Sequence, residues 1–130
     1  MKTPARPWRR DLGVRSRRAG RLAETVAAVW LLLKGYQILG FRLKAGAGDI
    51  DVLARRGRTL VLVEVKRREM PEAALDSLAP DQRARLLRAG QALVQKRRSL
   101  SGFGLRLDLV AFSPGRLPRH FRDLIVDTAP

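Results

Sequence analysis

Asp51, Glu64 and Lys66 are the residues of this chain whose types and spacing best suit hydrolytic chemistry. They lie in two runs of β-type residues, D-I-D-V-L-A-R and T-L-V-L-V-E-V-K-R, which are separated by a short segment that contains a glycine. Because side chains alternate between the faces of a strand, Glu64 and Lys66 share one side of the second run. Valines at positions 61, 63 and 65 form its other side. The second run is therefore predicted to bury one face and to present charged groups on the other.

The connection between the two runs decides whether the two carboxylates meet. A two-residue type II′ turn needs Gly at its first central position, so Gly57-Arg58 is the predicted turn and Arg56 is placed opposite Thr59. In this register Asp51 lies directly opposite Glu64, with Cβ atoms about 4.5 to 5.5 Å apart. Like charges in such a pair destabilise a sheet unless a cation lies between them. Other turn registers would separate the two carboxylates.

A divalent cation would remove this conflict and make the site reactive. Mg²⁺, or Mn²⁺ in its place, favours oxygen ligands and is commonly held by one or two carboxylates with water and phosphate. Lys66 could then orient or help to deprotonate an attacking water and stabilise negative charge on the phosphate. The set suits hydrolysis of a phosphodiester bond. Each part also has an ordinary interpretation, since a Glu-x-Lys pair on a strand is usually a solvated ion pair and paired acids usually mark a turn.

The elements around these residues predict an α/β fold, a mixed sheet with helices packed on it. The predicted elements are a largely buried helix over Gly20–Lys34 that ends at Gly35, strands over Tyr36–Leu43, the hairpin, Leu105–Phe112 and Phe121–Val126, a loop over Met70–Ala79, and a second helix that is capped by Asp81 or by the preceding region and runs to about Arg98. Glu24 is a carboxylate on the first helix. Residues 1–18 are predicted to form a flexible basic arm, and residues 19–127 a single domain.

The second predicted helix is amphipathic. Its apolar face consists of Leu86, Leu87, Gly90, Leu93 and Val94. Its other face carries Arg85, Arg88 and Lys96, which are the candidate contacts to a nucleic-acid backbone, with a solvated surface as the alternative. Near the end of the chain, Arg106 and Asp108 share a strand face and are predicted to form an ion pair. His120 lies beside two arginines and is interpreted as a surface or edge residue rather than a ligand.

The charge of the chain favours a polyanionic partner. Its 130 residues contain 27 Lys plus Arg and 12 Asp plus Glu, a formal net charge of +15. Basic side chains that neutralise phosphates gain affinity through counterion release, although a general bias towards Arg would give the same excess. There is no Cys, which excludes a thiolate zinc site and a cysteine nucleophile. The longest apolar stretch, Val26–Leu33, is too short for a bilayer, and no signal peptide is recognisable, so a cytoplasmic location is expected.

The motifs resemble those of the PD-(D/E)XK nuclease superfamily and, within it, the YraN family of small bacterial proteins described as predicted endonucleases. The resemblance covers about residues 20–112. It is carried by Gly20 and Glu24, by Gly48-Asp49-Ile50-Asp51, by Val63-Glu64-Val65-Lys66 with Arg68, and by Arg106-Leu107-Asp108.

The resemblance implies a restriction-endonuclease-like core and a role for each motif residue. As in archaeal Holliday-junction resolvases, Asp51 and Glu64 would be metal ligands, Lys66 the catalytic lysine, and Glu24 a carboxylate that reaches the metal shell. Many relatives carry a Lys where this chain has Gln82, which can hydrogen-bond a phosphate or a water but brings no charge. Resolvase-like relatives act as dimers, so a homodimer is among the expectations.

These features support three hypotheses for the function. The first is a Mg²⁺-dependent nuclease acting on DNA, with branched and single-stranded DNA as candidate substrates. The second is a non-catalytic nucleic-acid-binding module on a nuclease fold. The third is a basic adaptor that binds a protein or ribosomal partner through the arm and the second helix.

Overall fold

The computed structural model describes residues 21–46 and 48–124 of the chain. Helix α1 covers residues 21–33 and is followed by β1 (Gln37–Ala45), β2 (Gly48–Arg56), β3 (Thr59–Arg67), α2 (Pro71–Ser77), α3 (Pro80–Lys96), a 3-10 turn (Arg98–Leu100), β4 (Gly104–Phe112) and β5 (Arg119–Phe121). The predicted basic arm, residues 1–18, lies outside this range. Within it, no helix is long and apolar enough to cross a membrane.

The strands form one five-stranded sheet in chain order, β1-β2-β3-β4-β5. Strands β3 and β4 pair in parallel, and the other three neighbouring pairs are antiparallel. A parallel pair cannot be joined by a tight turn, so the chain crosses from β3 to β4 through α2 and α3. The predicted α/β class, a mixed sheet flanked by helices, is confirmed, and the arrangement is compatible with a restriction-endonuclease-like core.

Helices cover both faces of the sheet, and each face has its own apolar cluster. One cluster joins the sheet to α2 and α3 and includes Leu53, Leu60, Leu62, Ala74, Leu86, Leu93, Leu107 and Leu109. The other joins it to α1 and includes Ala27, Leu31, Val52, Val61, Val63 and Val110. Along β3 the row that faces α3 begins with Leu60 and Leu62 and continues, at the same alternation, with Glu64 and Lys66. Charged groups therefore appear where this apolar cluster ends.

Helix α3 lies unusually close to the sheet because it carries a glycine at the contact. A Cβ atom built on Gly90 would lie 2.6 Å from Leu62 Cδ1, which is closer than real Cβ contacts. A Cβ on Gly48 of β2 would lie 3.1 Å from the backbone oxygen of Arg85. These two glycines thus set the distance between α3 and the strands that carry the charged residues.

Helix α1 is less buried than its composition predicts. Ala27 and Leu31 are fully buried against the valine face of the sheet, whereas Leu22, Val29 and Leu33 are 65%, 49% and 78% exposed. The helix packs through its alanine-rich side, where small residues allow close contact with the valines. The prediction of a largely buried helix is therefore wrong.

Two other predicted elements differ from the structure. Residues Met70–Ala79 are not a loop but contain α2, which has proline at its first position and buries Ala74, with Leu78 buried just after its end. The final strand is Arg119–Phe121 instead of Phe121–Val126, and residues 125 and 126 lie outside the described range. Helix α3 begins at Pro80 with Ala79 at its N-cap position, so of the two predicted caps the preceding region is correct and Asp81 lies in the first turn.

Candidate active site

The hairpin of β2 and β3 has the register that its turn predicts. Gly57 has a φ of +60°, and Arg56 pairs with Thr59. The ladder continues to Val52 opposite Val63, so the next positions in the same register are Asp51 and Glu64. The hairpin therefore brings these two carboxylates together, although they are 13 positions apart in the sequence.

The two strands cease to pair at this point, and the side chain of Asp51 takes the place of a backbone acceptor. The Val65 N–H donates to Asp51 Oδ2 at 2.9 Å. The alternation of β2 is also interrupted here, because Ile50 and Leu53 join the cluster under α3 while Val52 joins the cluster under α1. The carboxylate thus lies at a break in the sheet, where backbone groups give way to side chains.

Glu64 is buried, and no directly hydrogen-bonded cation of the described residues balances its charge. It is 9% exposed, its Oε2 accepts a hydrogen bond from Gln82 Nε2 at 2.9 Å, and Lys66 Nζ lies 3.8 Å away. Burial, and next the negative charge of Asp51, raise the pKa of Glu64 to about 8, although Lys66 and Gln82 oppose the shift. A carboxylate pair in this state gains stability from a proton or from a bound cation.

A polar cleft of about 430 Å³ opens beside these residues. It is lined by Ala23, Glu24, Asp51, Val65, Lys66, Arg67 and Arg68. Glu24 extends into it from α1 and forms an ion pair with Arg42 of β1, and its side chain is 13% exposed. The cleft thus gathers four of the predicted site residues, Glu24, Asp51, Lys66 and Arg68, whereas Glu64 is absent from its lining.

The available oxygen ligands suit a Mg²⁺ ion that is also bound by water and substrate. They do not suit a metal ion that is enclosed by protein ligands alone. Within residues 21–46 and 48–124, no three His, Cys, Asp or Glu side chains are grouped closely enough to enclose a metal. Two convergent carboxylates are nonetheless what Mg²⁺ commonly uses when water and substrate phosphate complete its six ligands. Asp51 and Glu64 are the residues that would hold such an ion.

The remaining predicted site residues lie on α3 in two different settings. Gln82 points towards the carboxylates and is engaged with Glu64. Arg85, Arg88 and Lys96 are exposed and are not part of the cleft lining. The structure therefore brings Gln82 to the site and leaves the three cations on an open helix surface.

A second buried group of charges surrounds Asp108 and contains more residues than the predicted ion pair. Asp108 is fully buried and accepts hydrogen bonds from Arg106 Nε and Nη2 at 2.9 and 2.8 Å, and His120 Nε2 lies 2.6 Å from Asp108 Oδ2. Burial by itself raises the pKa of Asp108, but hydrogen bonds from His120, Arg106 and the Asp123 N–H lower it to about 2. The predicted ion pair of Arg106 with Asp108 is present.

His120 lies on the edge strand β5, as one of its two interpretations has it, but it is not a surface residue. Its side chain is only 2% exposed, and Lys34 Nζ lies 2.6 Å from its Nδ1. Arg106 also hydrogen-bonds the hydroxyl of Tyr36. These contacts tie β5 to β4 and to the segment after α1, so the group stabilises the β5 edge of the sheet. Residues 86 positions apart form the contact between Lys34 and His120, and no local pattern indicates it.

Comparisons with known proteins agree with the position of the motifs. Residues 23–112 match the model of a family described as "Uncharacterised protein family UPF0102". Curated relatives, each named a UPF0102 protein, come from Caulobacter vibrioides (51% identical over 115 residues, 88% of this chain and 92% of the relative), Caulobacter sp. strain K31 (49% over 121 residues, 90% and 87%) and Rhizobium etli (40% over 117 residues, 88% and 96%). The matched segment includes α1 from residue 23 onwards and all the residues that line the candidate cleft.

Proposed function

This chain belongs to the uncharacterised protein family UPF0102, the YraN family that its motifs resemble, and we propose that it is a metal-dependent nuclease that hydrolyses phosphodiester bonds of DNA. The observation that carries the proposal is the convergence of the buried Glu64 with Asp51 and Lys66, two residues that line a polar cleft. A buried carboxyl with a strongly raised pKa next to a cation and a cleft is typical of a functional site.

A bound Mg²⁺ or Mn²⁺ would supply positive charge that offsets the two carboxylates and polarises the phosphate. Asp51 and Glu64 would hold the ion, and Gln82 fixes the orientation of Glu64 by donating to its Oε2. Lys66 Nζ lies 3.8 Å from Glu64 Oε2. Its ammonium group would orient the attacking water and stabilise the charge developing on the phosphate.

Other residues would position the substrate around this centre. Arg68 lines the cleft and can hold a phosphate oxygen through its guanidinium group. Glu24 lines the cleft from α1 and, as a carboxylate, would bind water of the metal shell. Arg85, Arg88 and Lys96 are exposed on α3 and would contact the nucleic-acid backbone outside the cleft.

The decisive test is cleavage of duplex DNA, single-stranded DNA, a flap, a four-way junction and RNA with Mg²⁺ or Mn²⁺. Wild type is compared with Glu64→Gln, which keeps the shape of the side chain, and with Lys66→Ala. We expect wild type to cut at least one DNA substrate and both variants to lose activity by about 100-fold or more, as removal of a group that stabilises the transition state does. Removal of the divalent ion with EDTA should abolish cleavage.

Glu72→Gln is the matched control, because Glu72 is 62% exposed and forms only a surface ion pair with Arg119. This variant should cut like wild type. Equal cleavage by wild type and Glu64→Gln would assign the activity to a contaminating nuclease and contradict the proposal.

A second candidate function is a nucleic-acid-binding module without catalysis. It is favoured by Gln82, which hydrogen-bonds Glu64 but adds no positive charge to the site. In that case wild type binds the substrates with strong salt dependence and cuts none of them. Glu64→Gln would then bind as wild type does.

A further inference from the structure

A second cleft, of about 590 Å³, lies at the ends of β3 and β4. It is lined by Arg67, Arg68, Glu69, Phe112, Ser113 and Pro114. Its volume falls within the roughly 300 to 1,000 Å³ of ligand-binding clefts. Arg67 and Arg68 line this second cleft and also the candidate active site, so a strand that passes the active site can reach the second cleft alongside them.

The walls of the second cleft combine three kinds of chemistry. Arg67 and Arg68 are exposed cations, and Arg side chains bind phosphate oxygens well. Phe112 is only partly buried, so an aromatic ring together with Pro114 provides an apolar wall. Glu69 is the acidic residue of the lining, which disfavours a second phosphate but can accept hydrogen bonds from amino groups.

The hydroxyl group of Ser113 is an independent feature of the second cleft. It is 9% exposed, and its hydroxyl oxygen is buried without a hydrogen-bond partner among the described residues, the only such side-chain atom in that part of the chain. Buried hydroxyl groups are nearly always hydrogen-bonded in folded proteins, because leaving one unpaired is unfavourable. Ser113 thus contributes to the lining of the second cleft a hydroxyl group that makes no hydrogen bond to the described residues.

We propose that the second cleft binds one unpaired nucleotide of the strand being cut, which deepens the nuclease function proposed above and rests on it. The base packs against Phe112 and Pro114, and the flanking phosphate contacts Arg67 and Arg68. Stacking on an aromatic ring is available to every base, so the cleft selects an unpaired nucleotide without selecting a sequence. A base within a continuous duplex is covered on both faces and cannot enter unless it is extruded. The substrate class is therefore nucleic acid with unpaired nucleotides beside the cut.

The test measures binding in EDTA, so that it does not depend on cleavage. The probes are a single-stranded oligonucleotide of about 12 nucleotides that contains 2-aminopurine, whose fluorescence reports stacking, and a hairpin duplex of the same length. Wild type is compared with Phe112→Leu, which keeps an apolar side chain and removes the ring. Phe103→Leu is the matched control, because Phe103 is also partly buried but lies against Arg55 and Arg58.

We expect wild type to bind the single strand about ten-fold more tightly than the duplex at the same salt concentration. Phe112→Leu should weaken single-strand binding by about ten-fold, the effect of losing one stacked base, and leave duplex binding within about two-fold. Phe103→Leu should change neither. Equal affinity of wild type for the two probes, or an equal effect of Phe112→Leu on both, would overturn the proposal.

Ser113→Ala keeps the test decisive if Phe112→Leu fails to fold. Because the Ser113 hydroxyl has no partner within the described residues, its removal should not lower the melting temperature. It should nevertheless weaken single-strand binding, and unchanged single-strand affinity would count against the cleft.

A protein that binds unpaired nucleotides through Phe112 but cuts nothing keeps this site and loses the nuclease function. A protein that cuts duplex and single strand equally, without an effect of Phe112→Leu, keeps the nuclease function and loses this site.

Discussion

At the scale of single residues, two buried carboxyl groups show how partners decide function. Asp108 is surrounded by donors, and hydrogen bonds from His120 and Arg106 lower its pKa to about 2 despite burial. Burial and the charge of Asp51 instead raise the pKa of Glu64 to about 8. Asp108 is therefore satisfied within the fold, while Glu64 still gains from an added cation. That contrast is why Glu64, and not Asp108, belongs to the candidate site.

The raised pKa of Glu64 predicts how stability depends on pH. An ordinary Glu, with a pKa of 4.5, releases its proton in the unfolded chain well below the value of about 8 in the fold. Between these values the unfolded state binds fewer protons, so wild type loses stability as the pH rises from about 5 to about 8. Glu64→Gln cannot titrate, so its melting temperature relative to wild type should rise across this window. Differential scanning calorimetry in EDTA at several pH values measures the difference.

Added metal sharpens this prediction. Mg²⁺ added near pH 8 should stabilise wild type and not Glu64→Gln, since a metal binds the deprotonated ligand. A pH-independent difference between Glu64→Gln and wild type would contradict the assigned pKa.

At the scale of elements, the contact of α3 with the sheet positions the site. The helix carries Gln82, which reaches Glu64 on β3, and the separation of helix and strand is set at Gly90, two turns further along. No side chain larger than hydrogen fits there without movement of Leu62. A change of this distance would therefore shift Gln82 relative to Glu64.

Gly90→Ala tests this packing. In an isolated helix the change would stabilise by about 1 kcal/mol. Here the added methyl group meets Leu62 Cδ1 at 2.6 Å, and such overpacking costs about 1 to 3 kcal/mol. We expect Gly90→Ala to lower the free energy of unfolding by about 1 kcal/mol in urea denaturation. Gln91→Ala, at the next and exposed position, should stay within about 0.5 kcal/mol of wild type, and a Gly90→Ala protein as stable as wild type would show that α3 can move away.

At the scale of the whole molecule, charge decides association more than it decides the fold. A formal net charge of +15 on 130 residues attracts polyanions over distances of about 10 Å at ordinary salt concentrations. The candidate active-site cleft itself contains both acids and bases, so this attraction must come from the surrounding surface. The exposed Arg85, Arg88 and Lys96 of α3 belong to that surface.

The basic face of α3 should therefore carry part of the salt dependence of binding. Simultaneous replacement of Arg85, Arg88 and Lys96 by Ala should reduce the slope of log affinity against log salt concentration by about 2 to 3, which is nearly one per lost phosphate contact. Replacement of Lys44, Arg97 and Arg98, which are also exposed, removes the same charge and is the matched control. Fluorescence anisotropy in a salt series measures both. Equal slopes for the two triple variants would show that only net charge matters.

The sequence by itself determined the features that depend on neighbouring residues. Gly57 at the first central position fixed the turn, the turn fixed the register, and the register placed Asp51 and Glu64 together, as the structure has them. The alternation along β3 and the amphipathic pattern of α3 likewise follow from local spacing. The mixed α/β class follows from the order of such elements.

Only the tertiary structure decided what depends on distant contacts. The burial of His120 against Asp108, the hydrogen bond of Gln82 to Glu64 and the use of Asp51 as an acceptor for the Val65 N–H all join separate elements. Helix α2 was missed because seven residues carry too little periodic signal, and its stability comes from burying Ala74. The exposure of α1 was missed because an apolar helix buries only the side for which the sheet has room. Local patterns fix secondary structure, but burial and partners are properties of the packed chain.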